Sequence, residues 1–320
     1  MRKINFRKLQ KLLPGLRKNV LLKNYTTFKI GGKAQYFFVA KNKESIIKTV
    51  KTAKKLKIPF FILSGGSNLL ISDKGFEGLI IKIRNSRFEI RNSYLCAEAG
   101  VKMSKLVRET GKLGLAGLEW AAGIPGTLGG AIRGNAGAFG KETKDNIFEV
   151  EILDGKGNLK KLSKKQCSFS YRHSIFKKKN WIILSAKLKL KKGNKKKIQT
   201  IAKDYVEYRK KRQPLNYPSA GSVFKNVDLK KIPKKIRKNF SKVIKKDPFP
   251  VIPASYFISE AKLPGLMIGG AEISKKHPNF IVNLGKAKAK DVKKLISLVK
   301  KKVKNKFGII LEEEIRFLGL

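Results

Sequence analysis

Apolar residues recur along the chain at two periods, and the switches between them set the expected architecture. In 44–57, Ile46, Ile47, Val50, Ala53 and Leu56 share one helical face. The run P-F-F-I-L-S (59–64) reads as a buried strand leading into S-G-G-S-N-L-L-I-S-D, and G-L-I-I-K-I (78–83) as another strand. Together they predict a small α/β unit. Next come a strand at 94–100, a helix at about 103–113, a long glycine-rich loop over 121–140, and strands at 147–153, 158–162 and 181–190. A basic amphipathic helix at about 195–212 leads out of this part, and the two prolines of Q-P-L-N-Y-P mark a boundary. A helix at 253–262, a strand at 280–284, a long helix at 288–306 and a strand at 309–318 predict an α+β ending. The lysine-dense stretch 229–247 reads as a solvated helix or loop without chemistry, and no internal repeat is evident.

The length of 320 residues suggests two or three domains, and 42% hydrophobic residues is enough to bury cores, which excludes wholesale disorder. Charge is the anomaly: a formal +52 attracts any polyanion. The cations are mostly lysine, 61 against 13 arginines, and run from end to end rather than in one stripe. Readers of phosphates and bases lean on the arginine fork, so a background lysine bias is favoured over a selected polyanion surface. Two cysteines, Cys96 and Cys167, and two histidines exclude a disulfide framework and a zinc or histidine metal centre. No apolar run approaches the ~20 residues of a membrane span. The basic start has no acid before Glu44 and mimics a transit peptide, but Leu12-Leu13-Pro14-Gly15 breaks a helix there, so the expectation is cytoplasmic.

Five segments carry candidate chemistry. Ser64-Gly65-Gly66-Ser67-Asn68 follows a buried strand; two glycines let successive N–H groups converge on an anion, which makes a pyrophosphate cradle or, more blandly, a glycine turn. Residues 123–140 hold seven glycines in 18 positions and invite close approach of a flat or phosphorylated ligand. They do not fit G-x-G-x-x-G, so a nucleotide contact of a non-Rossmann kind is expected. In Y-R-H-S (171–174), Arg172 could clamp a carboxylate or phosphate between strand-like flanks. Ser222 follows Gly221 in what reads as a tight loop exposing its hydroxyl, without a G-x-S-x-G elbow or a triad context. On the final strand, Glu312 and Glu314 would share one face and Glu313 the other.

In this order the segments resemble the UDP-N-acetylenolpyruvoylglucosamine reductases, also called UDP-N-acetylmuramate dehydrogenases. The matching stretches are N-Y-T-T-F-K-I-G-G (24–32), S-G-G-S-N-L-L-I-S-D (64–73), G-L-E-W-A-A-G-I-P-G-T-L-G-G-A-I-R-G-N-A-G-A-F-G (117–140) and F-S-Y-R-H-S-I-F (169–176). They continue through Q-P-L-N-Y-P-S-A-G-S-V-F-K-N (213–226), I-S-E-A-K-L-P-G-L-M-I-G-G-A-E-I-S-K-K-H-P-N-F-I-V-N (258–283) and L-E-E-E-I-R-F-L-G (311–319). The family's shorter second subtype fits, since the tyrosine-bearing insertion of the first is missing. Lys29 stands where the family commonly has arginine, and Ser64 where it has glycine.

The resemblance implies an α+β, vanillyl-alcohol-oxidase/PCMH-like FAD-binding fold: two α/β subdomains over 1–83 and 84–205, and an α+β substrate domain over 206–320 whose last strand can return to the FAD domains. It implies bound FAD, NADPH as hydride donor, and reduction of a UDP-sugar enolpyruvyl ether to UDP-N-acetylmuramate in peptidoglycan precursor synthesis. Carried over by motif, Ser222 donates the proton to C2, and Arg172 and Glu314 stabilise the enolic intermediate. Gly65, Gly66, Ser67, Asn68, Leu69, Gly123, Ile124, Pro125, Gly126, Gly129, Gly130, Asn135 and Ala136 contact the cofactor. Arg212, Lys225 and Asn226 lie on the substrate side. The implied partner is the small-molecule sugar nucleotide, with no specific nucleic acid, membrane insertion or obligate protein partner. Two rivals are a flavin oxidase of the same fold acting on another substrate and a nucleic-acid binder suggested by charge alone. No basic-helix, zinc-finger or base-stacking motif supports the second.

Overall fold

The computed structural model describes residues 6–247 and 249–320, so the first five residues of the basic start lie outside it. The chain separates into two compact units, one comprising Met1–Val20, Lys33–Gly65 and Phe76–Glu207, the other Leu21–Gly32, Gly66–Gly75 and Tyr208–Leu320.

In the first unit, strands Arg17–Leu21, Lys33–Ala40, Phe76–Ile83 and Phe60–Leu63 lie side by side in that order. Lys33–Ala40 and Phe60–Leu63 both run parallel to Phe76–Ile83, and parallel neighbours need a crossover. The helix Lys43–Lys55 carries the chain from Lys33–Ala40 over to Phe60–Leu63, on the other side of Phe76–Ile83. Asn42 caps that helix by accepting from Ser45 N at 2.8 Å, and Ile46, Val50 and Ala53 are buried as the periodicity predicts. Leu79, Ile81 and Ile83 meet them in one core. A short helix, Phe6–Leu12, adds Leu9 and stops ahead of Pro14-Gly15.

A second, antiparallel sheet in the same unit has the order Leu159–Ser163, Ile147–Leu153, Ile182–Lys189, Tyr94–Glu98, Phe88–Arg91. Its inner residues, among them Leu95, Ala97, Val150, Ile152 and Leu188, bury against Leu106, Leu128 and Ile132. The glycine-rich stretch 121–140 is not the uninterrupted loop expected. Leu128–Gly134 is helical, begun by Thr127, whose hydroxyl accepts from Gly130 N, and ended at Asn135 in the left-handed region. Packing of Leu128, Ala131 and Ile132 overrides the poor helix propensity of its three glycines. The flanks of Y-R-H-S also differ from expectation: a tight turn pairs Ser170 with His173, and a short helix, Ile175–Lys178, follows.

The second unit is built on a four-stranded sheet ordered Ser219–Ser222, Phe280–Asn283, Ala271–Ile273, Met267–Ile268. The helix Ala289–Phe307 lays Val292, Leu295, Ile296, Val299 and Val303 into its core, joined by Phe257 from the helix Ala254–Glu260. The stretch 229–247 is not merely solvated, because it sends Ile232 and Phe240 into the same core. The last strand is shorter than expected, Arg316–Leu318, and pairs in parallel with Leu69–Ile71. The preceding acids pair through a single antiparallel bridge, Glu313 opposite Phe224. Lys225 and Lys231 take Glu312, Lys300 takes Glu313 at 2.7 Å, and Glu314 N donates to Val223 O at 2.7 Å.

Candidate active site

The first unit gathers most of the glycine chemistry. A Cβ on Gly65 would stand 2.7 Å from Gly126 Cα, so two glycine-rich segments remote in sequence touch through bare backbone. Ser64 Oγ lies 2.5 Å from Thr127 Oγ1, which gives the serine at this position a partner. Gly129 N donates to Ala99 O at 2.9 Å, and Gly126 O accepts from Met103 N at 3.1 Å. Gly123, Pro125 and Gly130 are exposed, and Ile124 is half-buried with its N–H on Ala121 O.

Asn135 is fully buried, and its side chain is spent on backbone: Nδ2 donates to Ser170 O at 2.9 Å and Oδ1 accepts from Lys144 N at 3.0 Å. Ala136 O accepts from both Thr143 N and Thr143 Oγ1. Asn135 therefore ties the glycine segment to the turn that carries Arg172. That arginine holds φ +51, unusual for a bulky side chain, and its Nη2 donates to Gly137 O at 2.8 Å. Lys177 Nζ braces the same turn from Arg172 O at 2.6 Å, and the guanidinium lies 5.1 Å from the Tyr171 ring centre.

The second unit holds the remaining predicted residues. Gly66 accepts from Thr27 N at 3.1 Å through its carbonyl, and a Cβ there would meet Tyr25 O at 2.1 Å. Ser67 follows it. Asn68 Nδ2 donates to Glu314 O at 3.1 Å, and Leu69 is buried in register with Arg316. Ser222 ends a strand rather than sitting in a loop, with Phe280 opposite it. Val223 is gripped from both sides: its N–H donates to Asn279 O at 2.8 Å and its carbonyl accepts from Glu314 N. One residue thus fixes Ser222 and Glu314 in a common frame. Lys225 N and Nζ both donate to Glu312, at 2.9 and 3.0 Å, and Asn226 Oδ1 accepts from Ala254 N at 3.3 Å. The ammonium groups of Lys231 and Lys225 hold the Glu312 carboxyl down to about 2. Arg212, at the end of the helix Lys195–Arg212, lies over Tyr208.

Two residues escaped the sequence reading. Asn279 is 4% exposed, and its side chain accepts from Phe224 N at 2.9 Å and donates to Phe224 O at 2.8 Å. Its signal was a lone amide at the head of the apolar strand F-I-V-N. Asn279→Ala orphans both buried groups and is expected to lower unfolding stability by about 3 kcal/mol. An unshifted urea midpoint would contradict the clamp. The other is Lys82, the one charge in G-L-I-I-K-I, whose ammonium donates to Ser64 O.

Among the described residues no helix is long and apolar enough to cross a membrane. Residues 34–163 match a family described as FAD binding domain, and residues 213–318 match the UDP-N-acetylenolpyruvoylglucosamine reductase C-terminal domain. The chain is 41% identical to the UDP-N-acetylenolpyruvoylglucosamine reductase of Caldanaerobacter subterraneus subsp. tengcongensis, over 94% of this chain and 93% of that protein. It is 42% identical to that of Caldicellulosiruptor saccharolyticus, over 98% and 95%. The crystal structure of UDP-N-acetylenolpyruvylglucosamine reductase from Thermus caldophilus is similar at a TM-score of 0.75, with 31% identity over 95% of this chain and 99% of that one. The expected α+β, FAD-binding fold is borne out.

Proposed function

The chain belongs to the UDP-N-acetylenolpyruvoylglucosamine reductase family, and on that premise we propose that it reduces the enolpyruvyl ether of a UDP-N-acetylglucosamine to UDP-N-acetylmuramate with NADPH. What carries the reading is that the likeness runs through both the glycine segments and residues 213–318, in family order. We infer a functional division into two FAD-binding segments, 1–83 and 84–205, and a substrate segment, 206–320. The two unpaired cysteines, one exposed and one buried, support a cytoplasmic setting.

The residues fit FAD. Gly65 and Gly126 present side-chain-free backbone, and among the described residues no protein acceptor takes the Gly65 N–H. By the family likeness, Gly65, Gly66, Ser67, Asn68 and Leu69, with Gly123, Ile124, Pro125, Gly126, Gly129, Gly130 and Ala136, would hold FAD, and Asn135 fixes its own segment on Ser170 and Lys144. When bound, FAD supplies the redox chemistry that brings the hydride of NADPH to C3 of the enolpyruvyl group.

An enol ether accepts hydride poorly unless its carboxylate takes up the electron pair released from the C2–C3 π bond. The Arg172 guanidinium stabilises that charge, since a fixed cation needs no reorganisation as the charge appears. Glu314 completes the set around the enolic intermediate, and the Ser222 hydroxyl gives its proton to C2. The result is one new hydrogen on C3, one on C2, and one NADPH oxidised. Arg212, Lys225 and Asn226 hold the sugar nucleotide. The purified protein is expected to be yellow, to bleach anaerobically with NADPH and to recover colour on addition of the enolpyruvyl sugar nucleotide. Bleaching without recovery would favour a flavin oxidase acting on another substrate and would sink the reductase reading.

A further inference from the structure

Lys82 occupies a place where a lysine is costly. Along Phe76–Ile83, alternation sends Leu79, Ile81 and Ile83 into the core behind the helix Lys43–Lys55, and turns Lys82 to the opposite face. Lys82 is half-buried between its register partners Val39 and Leu63. Methionine would pack there without desolvating a charge. The ammonium is instead anchored on Ser64 O, the carbonyl that opens S-G-G-S-N.

That anchor has a directional consequence. Across a planar trans peptide the carbonyl and the following N–H point opposite ways. With Ser64 O turned toward Lys82, the Gly65 N–H is turned away from it, and no protein acceptor among the described residues takes it. The Ser64 hydroxyl, held by Thr127 Oγ1, and the contact of Gly65 with Gly126 keep the peptide from rotating. Two more cations face Lys82: Arg84, just past the end of its strand, and Lys102 from the segment entering the helix Met103–Lys112. All these residues lie within 34–163, the range that matches the FAD binding domain.

Resting on the FAD reading above, we propose that Lys82 is a positioning residue for the FAD diphosphate, aiming the Gly65 N–H at the phosphate oxygens and placing its own positive charge behind that peptide. Burial, with Arg84 and Lys102 alongside, brings the Lys82 pKa down to about 8. A bound diphosphate raises it again, so binding takes up a proton in the range between the two values. FAD is therefore held tightest below about pH 8, and its affinity falls as pH rises through that window.

The test is release of FAD from the holoenzyme, read as free flavin fluorescence after dilution and ultrafiltration between pH 7 and 9. Wild type is expected to lose affinity from pH 8 upward. Lys82→Met is expected to weaken FAD about tenfold or more at pH 7, as loss of a charge-assisted hydrogen bond does, and to show a flat pH profile. Lys82→Arg, which stays charged, is expected to restore most of the affinity at pH 7 and to flatten the profile as well. Lys82→Met with wild-type affinity and the wild-type profile overturns the proposal. If the variants do not fold, a flat wild-type profile alone overturns it. A wild-type protein that holds no FAD at any pH contradicts the FAD reading instead.

Discussion

Ser222→Ala is expected to leave reduction of the bound flavin by NADPH near the wild-type rate. It is expected to slow reoxidation by the enolpyruvyl sugar nucleotide by about 10²–10⁴-fold, the range a positioned general acid contributes. In the proposed mechanism the two half-reactions separate because NADPH oxidation needs no proton at C2, whereas the sugar nucleotide would not be released as product without one. The substitution is structurally mild. Ser222 pairs with Phe280 through backbone, and the neighbouring grip of Asn279 and Glu314 on Val223 involves no atom of the Ser222 side chain. Anaerobic stopped-flow absorbance of the flavin measures both steps in one preparation. Equal loss in the two steps would contradict the assigned role and point to a damaged cofactor site.

Where one face of an element is buried and the other wet, the sequence was a good guide. The helices Lys43–Lys55 and Ala289–Phe307 stand close to where apolar spacing predicts them. Leu128–Gly134 was illegible because glycine at every few positions signals a loop locally, and only tertiary burial of Leu128, Ala131 and Ile132 makes it a helix. The shortened final strand has a similar origin. Alternation predicts one strand over 309–318, but Glu313 bridges Phe224 whereas Arg316–Leu318 pairs with Leu69–Ile71, so the segment changes partners after the acids and only Arg316–Leu318 remains a strand.

The charge bears on the site in the same way. In a chain with 61 lysines a single lysine carries little information, so Lys82 inside a buried strand looked like background. Its desolvation is what separates it from the rest, and desolvation is a property of the fold. Asn279 was hidden for the complementary reason: a buried amide is recognisable only from the backbone groups it satisfies, here those of Phe224. Composition thus describes the solvated lysines, and burial is what sets Lys82 apart from them.

Arg172 provides the sharpest test of the electrostatic part of the mechanism. Removing a preorganised donor that stabilises developing negative charge costs about 10²–10³-fold, so Arg172→Ala is expected to slow flavin reoxidation by that factor at saturating sugar nucleotide and to raise the concentration needed for saturation. Lysine is not a conservative replacement. The guanidinium spans Gly137 O through Nη2 and presents a planar fork, while an ammonium has one point of charge and no fork. Arg172→Lys is therefore expected to remain well below a tenth of the wild-type reoxidation rate. A folding defect is separable from a chemical one because position 172 sits at φ +51, a conformation that glycine adopts without penalty. Arg172→Gly relieves that backbone strain and is expected to melt within a few degrees of wild type while losing as much reoxidation rate as the alanine variant. NADPH reduction of the flavin in all three variants is expected to stay near the wild-type rate. An Arg172→Lys enzyme that reoxidises at the wild-type rate would mean that charge alone suffices and that the fork held on Gly137 has no part in stabilising the enolic carboxylate.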